Sequence, residues 1–193
     1  MRAATMTALL CVLALPSGCR QEDPQVDLTP LPTVAAPPYI CEYIPLKAVE
    51  LMTGVRDPLV RGDFDLTTAG GLGDGRCAAY QRDGERLRVL HIVLIPGGTQ
   101  ERVEKQIKDG ALPLPEVVPG SVGYYFKDRD SERSAAYAKL VRGEAELIIE
   151  LETGVEGRDN AADVAALMKL IAPRLITDAS APEATASPSP EKD

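Results

Sequence analysis

Acidic side chains in glycine-rich stretches are the first candidates for chemistry in this chain. Asp57, Asp63 and Asp65 lie close together in the sequence, and converging carboxylates can bind Ca²⁺ or act as a general acid and base. They lack the spacing of an EF-hand loop. We therefore interpret them as solvated loop acids, and we keep a carboxylate-based hydrolase as the weakest of three functional hypotheses.

A second acidic stretch begins like a Ca²⁺-binding loop, with Asp128, Asp130 and Glu132 at alternate positions. The sixth position of such a loop is glycine and the twelfth is a bidentate glutamate. This sequence has Arg133 and Lys139 at those positions. The motif therefore fails, and we predict neither a metal site nor a cofactor.

Nucleophilic catalysis has little support. His91 is the only histidine, and a His-centred triad would need partners that the sequence does not place. Ser121 stands in Gly-Ser-Val-Gly, which is not the G-x-S-x-G spacing of a nucleophile elbow. We expect His91 to be a structural strand residue and the protein not to be an enzyme.

Two other motifs also have simple explanations. Arg61-Gly62-Asp63 spells a cell-adhesion tripeptide, but three common residues coincide easily in a charged loop. The glycine-rich run 70–75 leads into a predicted strand, so it lacks the helix dipole that a phosphate-binding loop uses. We assign neither motif a function.

Charge and composition argue against several classes of partner. The chain has 21 Lys and Arg against 29 Asp and Glu, which gives a net charge of -8. An acidic surface repels nucleic-acid phosphates and anionic lipid headgroups, so we expect no nucleic-acid partner. Hydrophobic residues make up 45% of the chain and aromatic residues 4%, which predicts one core of mainly aliphatic side chains.

The first residues predict export. Arg2 precedes an uncharged run from Met6 to Leu15, which spans about 15 Å as a helix and is too short to cross a bilayer. Small residues then lead to Cys19, which resembles the lipobox of bacterial lipoprotein precursors, although Pro16 stands where a lipobox usually has leucine. We predict a signal peptide at 1–18 and a lipidated Cys19; the alternative is an ordinary signal peptide beside an incidental cysteine.

Proline-rich and polar stretches flank the predicted domain. Residues 19–38 combine the lipidated cysteine with a spacer of five prolines, which at about 3.1 Å per residue would hold the domain up to about 60 Å from the membrane. Residues 178–193 are mainly Ala, Ser, Pro and charged residues, which predicts a disordered tail. A single domain over 39–177 remains.

Hydrophobic periodicity predicts the elements of this domain. The predicted helices are 45–53, 99–109 and one that starts at Asn160 and is kinked or ended by Pro173. The predicted strands are 77–82 and 87–95 around an Asp83-Gly84 type I′ turn, then 122–127, 135–141 and 145–153, whereas 56–75 is predicted as loop. We therefore expect an α+β fold: an antiparallel sheet of about five strands with helices packed mainly on one face.

Two cysteines remain in the exported chain. Cys11 leaves with the signal peptide and Cys19 takes the lipid, so Cys41 and Cys77 form an even pair that favours a disulfide. Two buried free thiols are the alternative. A metal site built on these cysteines would need further ligands that the sequence does not offer.

Short motifs surround this cysteine pair: Cys41-Glu-Tyr-Ile-Pro-Leu46, Thr53-Gly54, Gly75-Arg-Cys77 and Gly120-Ser-Val-Gly123. The set resembles the DUF3558 family of actinobacterial lipoproteins, in which one cysteine begins a helix that ends in glycine and a second follows a glycine-rich loop. The resemblance covers roughly residues 39–175. It implies an envelope lipoprotein of a family without an assigned activity.

These features predict a non-enzymatic, lipid-anchored domain on the extracytoplasmic face of the cell membrane that binds a protein or an envelope component. A small-ligand carrier with a cavity between the sheet and the helices is the alternative. An exposed apolar patch of several hundred Å² would favour the first function, and a closed apolar cavity of at least about 300 Å³ would favour the second. Two converging acids with raised pKa in a cleft would favour the hydrolase.

Lipidation of Cys19 is tested by the intact mass of protein extracted from membranes. The mass should exceed that of the polypeptide from Cys19 to Asp193 by the acyl groups, since two acyl chains are needed for stable anchoring. A Cys19→Ala variant should lose the added mass. Wild-type protein of bare polypeptide mass in the culture medium would contradict the prediction.

Overall fold

Residues 26–127 and 135–181 are described by the structure, a computed structural model. The strands are β1 (Tyr39–Ile40), β2 (Ile44–Pro45), β3 (Leu59–Asp65), β4 (Asp74–Tyr80), β5 (Arg88–Pro96), β6 (Leu112–Pro113), β7 (Val122–Lys127), β8 (Ala136–Arg142) and β9 (Ala145–Leu151). The helices are α1 (Leu46–Thr53), α2 (Gln100–Lys108) and α3 (Asn160–Leu175). None of the helices in these residues is both long enough and apolar enough to cross a membrane.

The predicted α+β class with an antiparallel sheet is confirmed, but the predicted strand count is wrong. One sheet has seven strands in the order β3-β4-β5-β9-β8-β7-β6, and β1 and β2 form a second, two-stranded sheet. The stretch 56–75, predicted as loop, contains β3 and the start of β4. The sequence of β3 shows no apolar period, because its exposed positions carry Arg61, Asp63 and Asp65 and Phe64 is its one buried residue.

The connection between β4 and β5 also differs from the prediction. Only Gly84 of the Asp83-Gly84 pair has a positive φ, 68°, so the pair does not form the type I′ turn, which needs two such residues. A longer loop joins the strands instead, closed by the hydrogen bond that the amide of Gln81 donates to the carbonyl of Leu87 at 2.9 Å.

One face of the sheet, here called the inner face, packs against α1 and α3. The predicted core side of β9 is confirmed: Ala145, Leu147, Ile149 and Leu151 are at most 1% exposed. The predicted apolar stripe of α3 is confirmed as well, since its members are all fully buried in the same cluster: Val164, Leu167, Met168, Ile171 and Leu175. This aliphatic layer is the main core of the protein.

The opposite, outer face carries α2. Val103 of α2 is fully buried against Tyr124 of β7 and Val141 of β8. Val141 lies directly opposite Glu146, whose side chain points away from the neighbouring inner-face residue Leu147. The helices therefore cover both faces, and the prediction that they lie mainly on one face is not confirmed for α2.

A disulfide joins Cys41 to Cys77, as predicted from the cysteine count. Cys41 lies just before β2 and α1, and Cys77 lies in the middle of β4 with 1% of its surface exposed. The bond therefore fastens the entry of α1 to the half of the sheet that contains β3, β4 and β5.

The segment 26–38, here called the strap, contacts the domain, although the sequence predicts a spacer there. Arg158 donates hydrogen bonds to the carbonyls of Asp27 at 2.6 Å and Thr29 at 2.9 Å. The same guanidinium donates to both carboxylate oxygens of Asp163, at 2.7 and 2.8 Å, and this hydrogen bonding raises the pKa of Arg158. Leu31 is 7% exposed and belongs to the main core.

The start of the predicted tail also contacts the domain. Arg142, which donates a hydrogen bond to the carbonyl of Thr177 at 2.9 Å, also lies 3.9 Å from a carboxylate oxygen of Asp178, and Ser180 is 2% exposed. The ordered part of the domain therefore extends beyond both predicted boundaries, at least from Asp27 to Ser180.

Removing the disulfide should strongly destabilise the domain. The bridged residues are 36 positions apart, and the loss of such a closed loop costs about 4 kcal/mol in the chain-entropy model. The free energy of unfolding in urea should fall by this amount in a Cys41→Ala, Cys77→Ala variant, with Cys19→Ala as the matched control. A double variant as stable as the control would contradict the prediction.

Candidate functional site

The outer face of the sheet is covered over half of its width. The α2 helix lies over β7 and β8, where its apolar side chains meet a cluster of three stacked rings: Tyr124, Phe126 and Tyr137. Within the described residues, no helix packs on the outer side of β3, β4 and β5. That uncovered half is the candidate site.

A groove of about 510 Å³ runs over this uncovered half. Its walls are built from outward positions of the three strands and from the loop that follows β3. The lining residues with polar or aromatic side chains are Arg61, Asp63, Asp65, Thr68, Asp74, Arg76, Tyr80, Arg88 and His91. Ala78 lies between Arg61 on β3 and His91 on β5 in the strand register, so a small side chain forms the floor.

Arginines dominate one part of the groove. The guanidinium of Arg61 lies over the ring of Tyr80, 5.5 Å from its centroid, which is within the range of a cation–π contact. Arg76 is exposed and lies opposite Asp63 in the register. None of the ion pairs found among residues 26–127 and 135–181 engages Arg61 or Arg76. Their charges are therefore available to a ligand.

Two side-chain pairs that join β5 to β9 and to the residue after β9 form the opposite wall. His91 Nδ1 lies 3.0 Å from a carboxylate oxygen of Glu150, the residue directly opposite it, and the His91 side chain is 16% exposed. Arg88, three residues before His91, pairs with Glu152, two residues after Glu150. The hydrogen bond found for the His91 side chain goes to a carboxylate rather than to a hydroxyl or thiol, so a nucleophile–histidine arrangement is not among the described contacts.

The other end of the groove is acidic. Asp65 and Asp74 lie directly opposite each other where β3 and β4 begin to separate. Asp65 accepts hydrogen bonds from the hydroxyl and the amide of Thr67, at 2.6 and 2.9 Å, and these bonds lower its pKa. A lowered pKa suits a permanently ionised carboxylate and opposes a role as a general acid.

The three loop acids from the sequence do not converge. Asp63 and Asp65 line the groove, but Asp57 lies outside it and pairs with Arg82 at 3.0 Å. Among the described residues, no group of three or more His, Cys, Asp or Glu side chains could hold a metal ion. Cys19 and the acidic stretch from Asp128 to Glu132 lie outside the described residues.

The other sequence motifs have structural explanations. The tripeptide Arg61-Gly62-Asp63 lies within β3, and a Cβ on Gly62 would come within 2.1 Å of the carbonyl oxygen of Arg76, so the close strand pairing requires glycine. The hydroxyl of Ser121 accepts hydrogen bonds from the amides of Val117 and Val118, at 3.3 and 3.1 Å. Ser121 therefore stabilises the turn before β7.

The space between the sheet and α3 is filled by side chains. Members of both layers have less than 2% of their surface exposed, and the largest of them include Leu147, Ile149, Leu167, Met168 and Ile171. The aromatic residues of β7 divide as the alternation predicts: Tyr124 and Phe126 face α2, and Tyr125 packs on the main core. Burial raises the pKa of the Tyr124 and Tyr137 hydroxyls, which stay protonated under α2.

Sequence analysis missed the groove arginines and Tyr80. The signal for them was present as a period of two: Arg61, Asp63 and Asp65 alternate along β3, and Arg76 and Tyr80 lie on the matching face of β4. A strand with charged residues on one side and a glycine in its middle gives no clear apolar period. The groove therefore becomes visible only when the pairing of β3 with β4 is known.

Comparison with protein-family models and with curated proteins found no match for this chain.

Proposed function

We propose that this protein is a lipid-anchored, extracytoplasmic binding domain of the bacterial cell envelope, and that it binds a protein or an envelope component through the groove on β3, β4 and β5. The predicted export signal and Cys19 support the location. The open outer face supports the mode of action. The proposal includes no catalytic step.

The uncovered half of the outer face is the observation that carries the proposal. A sheet face without a covering layer must carry side chains that tolerate water, and this one carries three arginines, a tyrosine and three aspartates around a small floor residue. Arginine and tyrosine are enriched in protein interfaces, because each combines a large contact area with directional hydrogen bonds. Arg61 and Tyr80 already pack on each other, so less side-chain freedom is lost when a partner binds.

The two remaining hypotheses have less support. A hydrolase that uses the loop acids needs two converging carboxylates, one with a raised pKa, whereas Asp57 lies apart and the pKa of Asp65 is lowered. A carrier needs a cavity between the sheet and the helices, whereas Leu147 and Met168 pack there with essentially no exposed surface. Asp65 and Asp74 do face each other in the groove, but the lowered pKa of Asp65 opposes a role as a general acid.

A photo-crosslinking amino acid placed at Arg76 tests the proposal in the native envelope. Arg76 is exposed in the groove, so the probe should trap a defined partner as a discrete higher-mass adduct. The matched control is the same probe at Lys169, which is exposed on α3, on the other side of the sheet, and should give no such adduct.

Charge reversal gives the second arm of this experiment. An Arg61→Glu substitution in the Arg76-probe protein should reduce the adduct at least tenfold, because it places a carboxylate where the partner meets a cation. Arg82→Glu, outside the groove, should leave the adduct unchanged. The same adduct from Arg76 and Lys169, or none from Arg76, would contradict the proposal.

A further inference from the structure

Exposed apolar side chains are concentrated in the strap. Four large hydrophobic residues are exposed in the described part of the chain, and three of them lie in the strap: Val26 at 44%, Leu28 at 61% and Val34 at 73%. The fourth, Leu112 at 51%, lies in β6 at the edge of the main sheet. Scattered exposed hydrophobic residues are ordinary, but a group of three in one 13-residue segment indicates a contact surface.

The strap is held so that these side chains stay on the outside. Arg158 binds the carbonyls of Asp27 and Thr29, the two neighbours of Leu28, and Leu31 is inserted into the core. The Arg158 side chain itself is 3% exposed and is fixed by its two bonds to Asp163. A rigid buried support therefore presents Leu28 to the surroundings.

The position of the strap in the chain indicates what meets it. Seven residue steps separate Cys19 from Val26, and a fully extended chain of that length spans at most about 25 Å. If Cys19 carries the lipid, the strap stays within that distance of the bilayer, rather than at the about 60 Å that a free spacer through Pro38 would allow. The tether thus keeps the strap at a high local concentration relative to the membrane surface, where weak contacts suffice.

We infer that the strap is a membrane-docking surface: Val26, Leu28 and Val34 contact the lipid bilayer to which the same chain is anchored. This inference rests on the lipid anchor in the proposed function. The proline-rich spacer predicts a domain held far from the membrane. Under this inference the domain instead lies on the membrane, with the strap as its membrane-facing side.

The charges around the strap favour contact with neutral lipid. A surface depression beside it is lined by Val26, Asp27, Lys47, Glu50 and Arg56, in which two acids balance two bases. Docking therefore depends on apolar contact rather than on attraction to anionic headgroups.

Docking by the strap leaves the groove accessible. The groove and the depression beside the strap have no lining residue in common. The strap is held by Arg158, and the depression beside it is lined partly by residues of α1. This helix packs on the inner face, whereas the groove lies on the outer face. Docking through the strap therefore uses none of the residues that line the groove.

A single tryptophan tests this inference, because the chain contains none of its own. The chain from Cys19 to Asp193 carrying Leu28→Trp is coupled through Cys19 to a maleimide lipid in phosphatidylcholine vesicles; Cys41 and Cys77 are protected by their disulfide. The tryptophan emission should shift to shorter wavelength, and brominated phosphatidylcholine should quench it at least twofold. The matched control is Leu112→Trp, of similar exposure, which should show neither change.

A second variant tests the apolar contact itself. Val26→Asp and Val34→Asp, added to Leu28→Trp, should abolish the quenching without changing the thermal unfolding midpoint, because both side chains are exposed. Equal quenching of Leu28→Trp and Leu112→Trp, or quenching of neither, would overturn the inference. So would a concentration-dependent shift of the Leu28→Trp emission without vesicles, which would assign the strap to a second copy of the chain.

The failure of this inference is distinguishable from failure of the proposed function. Chemical coupling supplies the anchor in vitro, so the quenching result does not depend on whether the cell acylates Cys19. An acylated protein whose Leu28→Trp probe stays unquenched would overturn the docking surface alone. A protein without acyl groups in the cell would overturn the anchor, whatever the vesicles show.

Discussion

The central constraint on this structure is that, among the described residues, one nine-residue helix packs on the outer face of a seven-stranded sheet. The inner face buries its aliphatic residues under α1 and α3, and burial of this kind supplies most of the favourable free energy of folding. On the outer face, α2 packs on β7 and β8, where three of the aromatic residues, Tyr124, Phe126 and Tyr137, gather beneath it. No helix of the described residues covers β3, β4 and β5 on this face, and the groove there is lined mainly by charged and polar side chains.

One disulfide and one buried ion pair fasten separate segments of the chain to the domain. The disulfide fastens the entry of α1 to β4, next to the edge strand β3 that forms one wall of the groove. Arg158 and Asp163 form an almost fully buried pair, and breaking such a pair by removing one partner typically costs about 3–5 kcal/mol. Because the same guanidinium also binds the strap, the N-terminal segment belongs to the domain and the distance to Cys19 becomes short.

The sequence predicted the parts of the fold that have an apolar period. The alternation of Leu147 and Ile149 against Glu146 and Glu150 located β9, and the stripe from Val164 to Leu175 located α3. It did not predict β3, because Gly62 is required by close pairing with β4 and the neighbouring positions are charged. It also did not predict the strap, because the contact of Arg158 with Asp27 and Thr29 joins residues about 130 positions apart and has no local signature. The disulfide was predictable because the predicted signal peptide and the predicted lipidation site account for two of the four cysteines, and the two that remain form an even pair.

Hydroxyl-radical footprinting of the wild-type protein tests the central claim most directly, because it needs no substitution. Tyr80 and His91 line the groove, and Tyr39 lies on the other side of the sheet, stacked under Arg174 at 4.1 Å. We expect the oxidation of Tyr80 and His91 to fall at least threefold in the native envelope relative to the purified protein, while that of Tyr39 stays the same. Equal oxidation of Tyr80 and His91 in the two preparations would contradict the assignment of the groove as the binding surface.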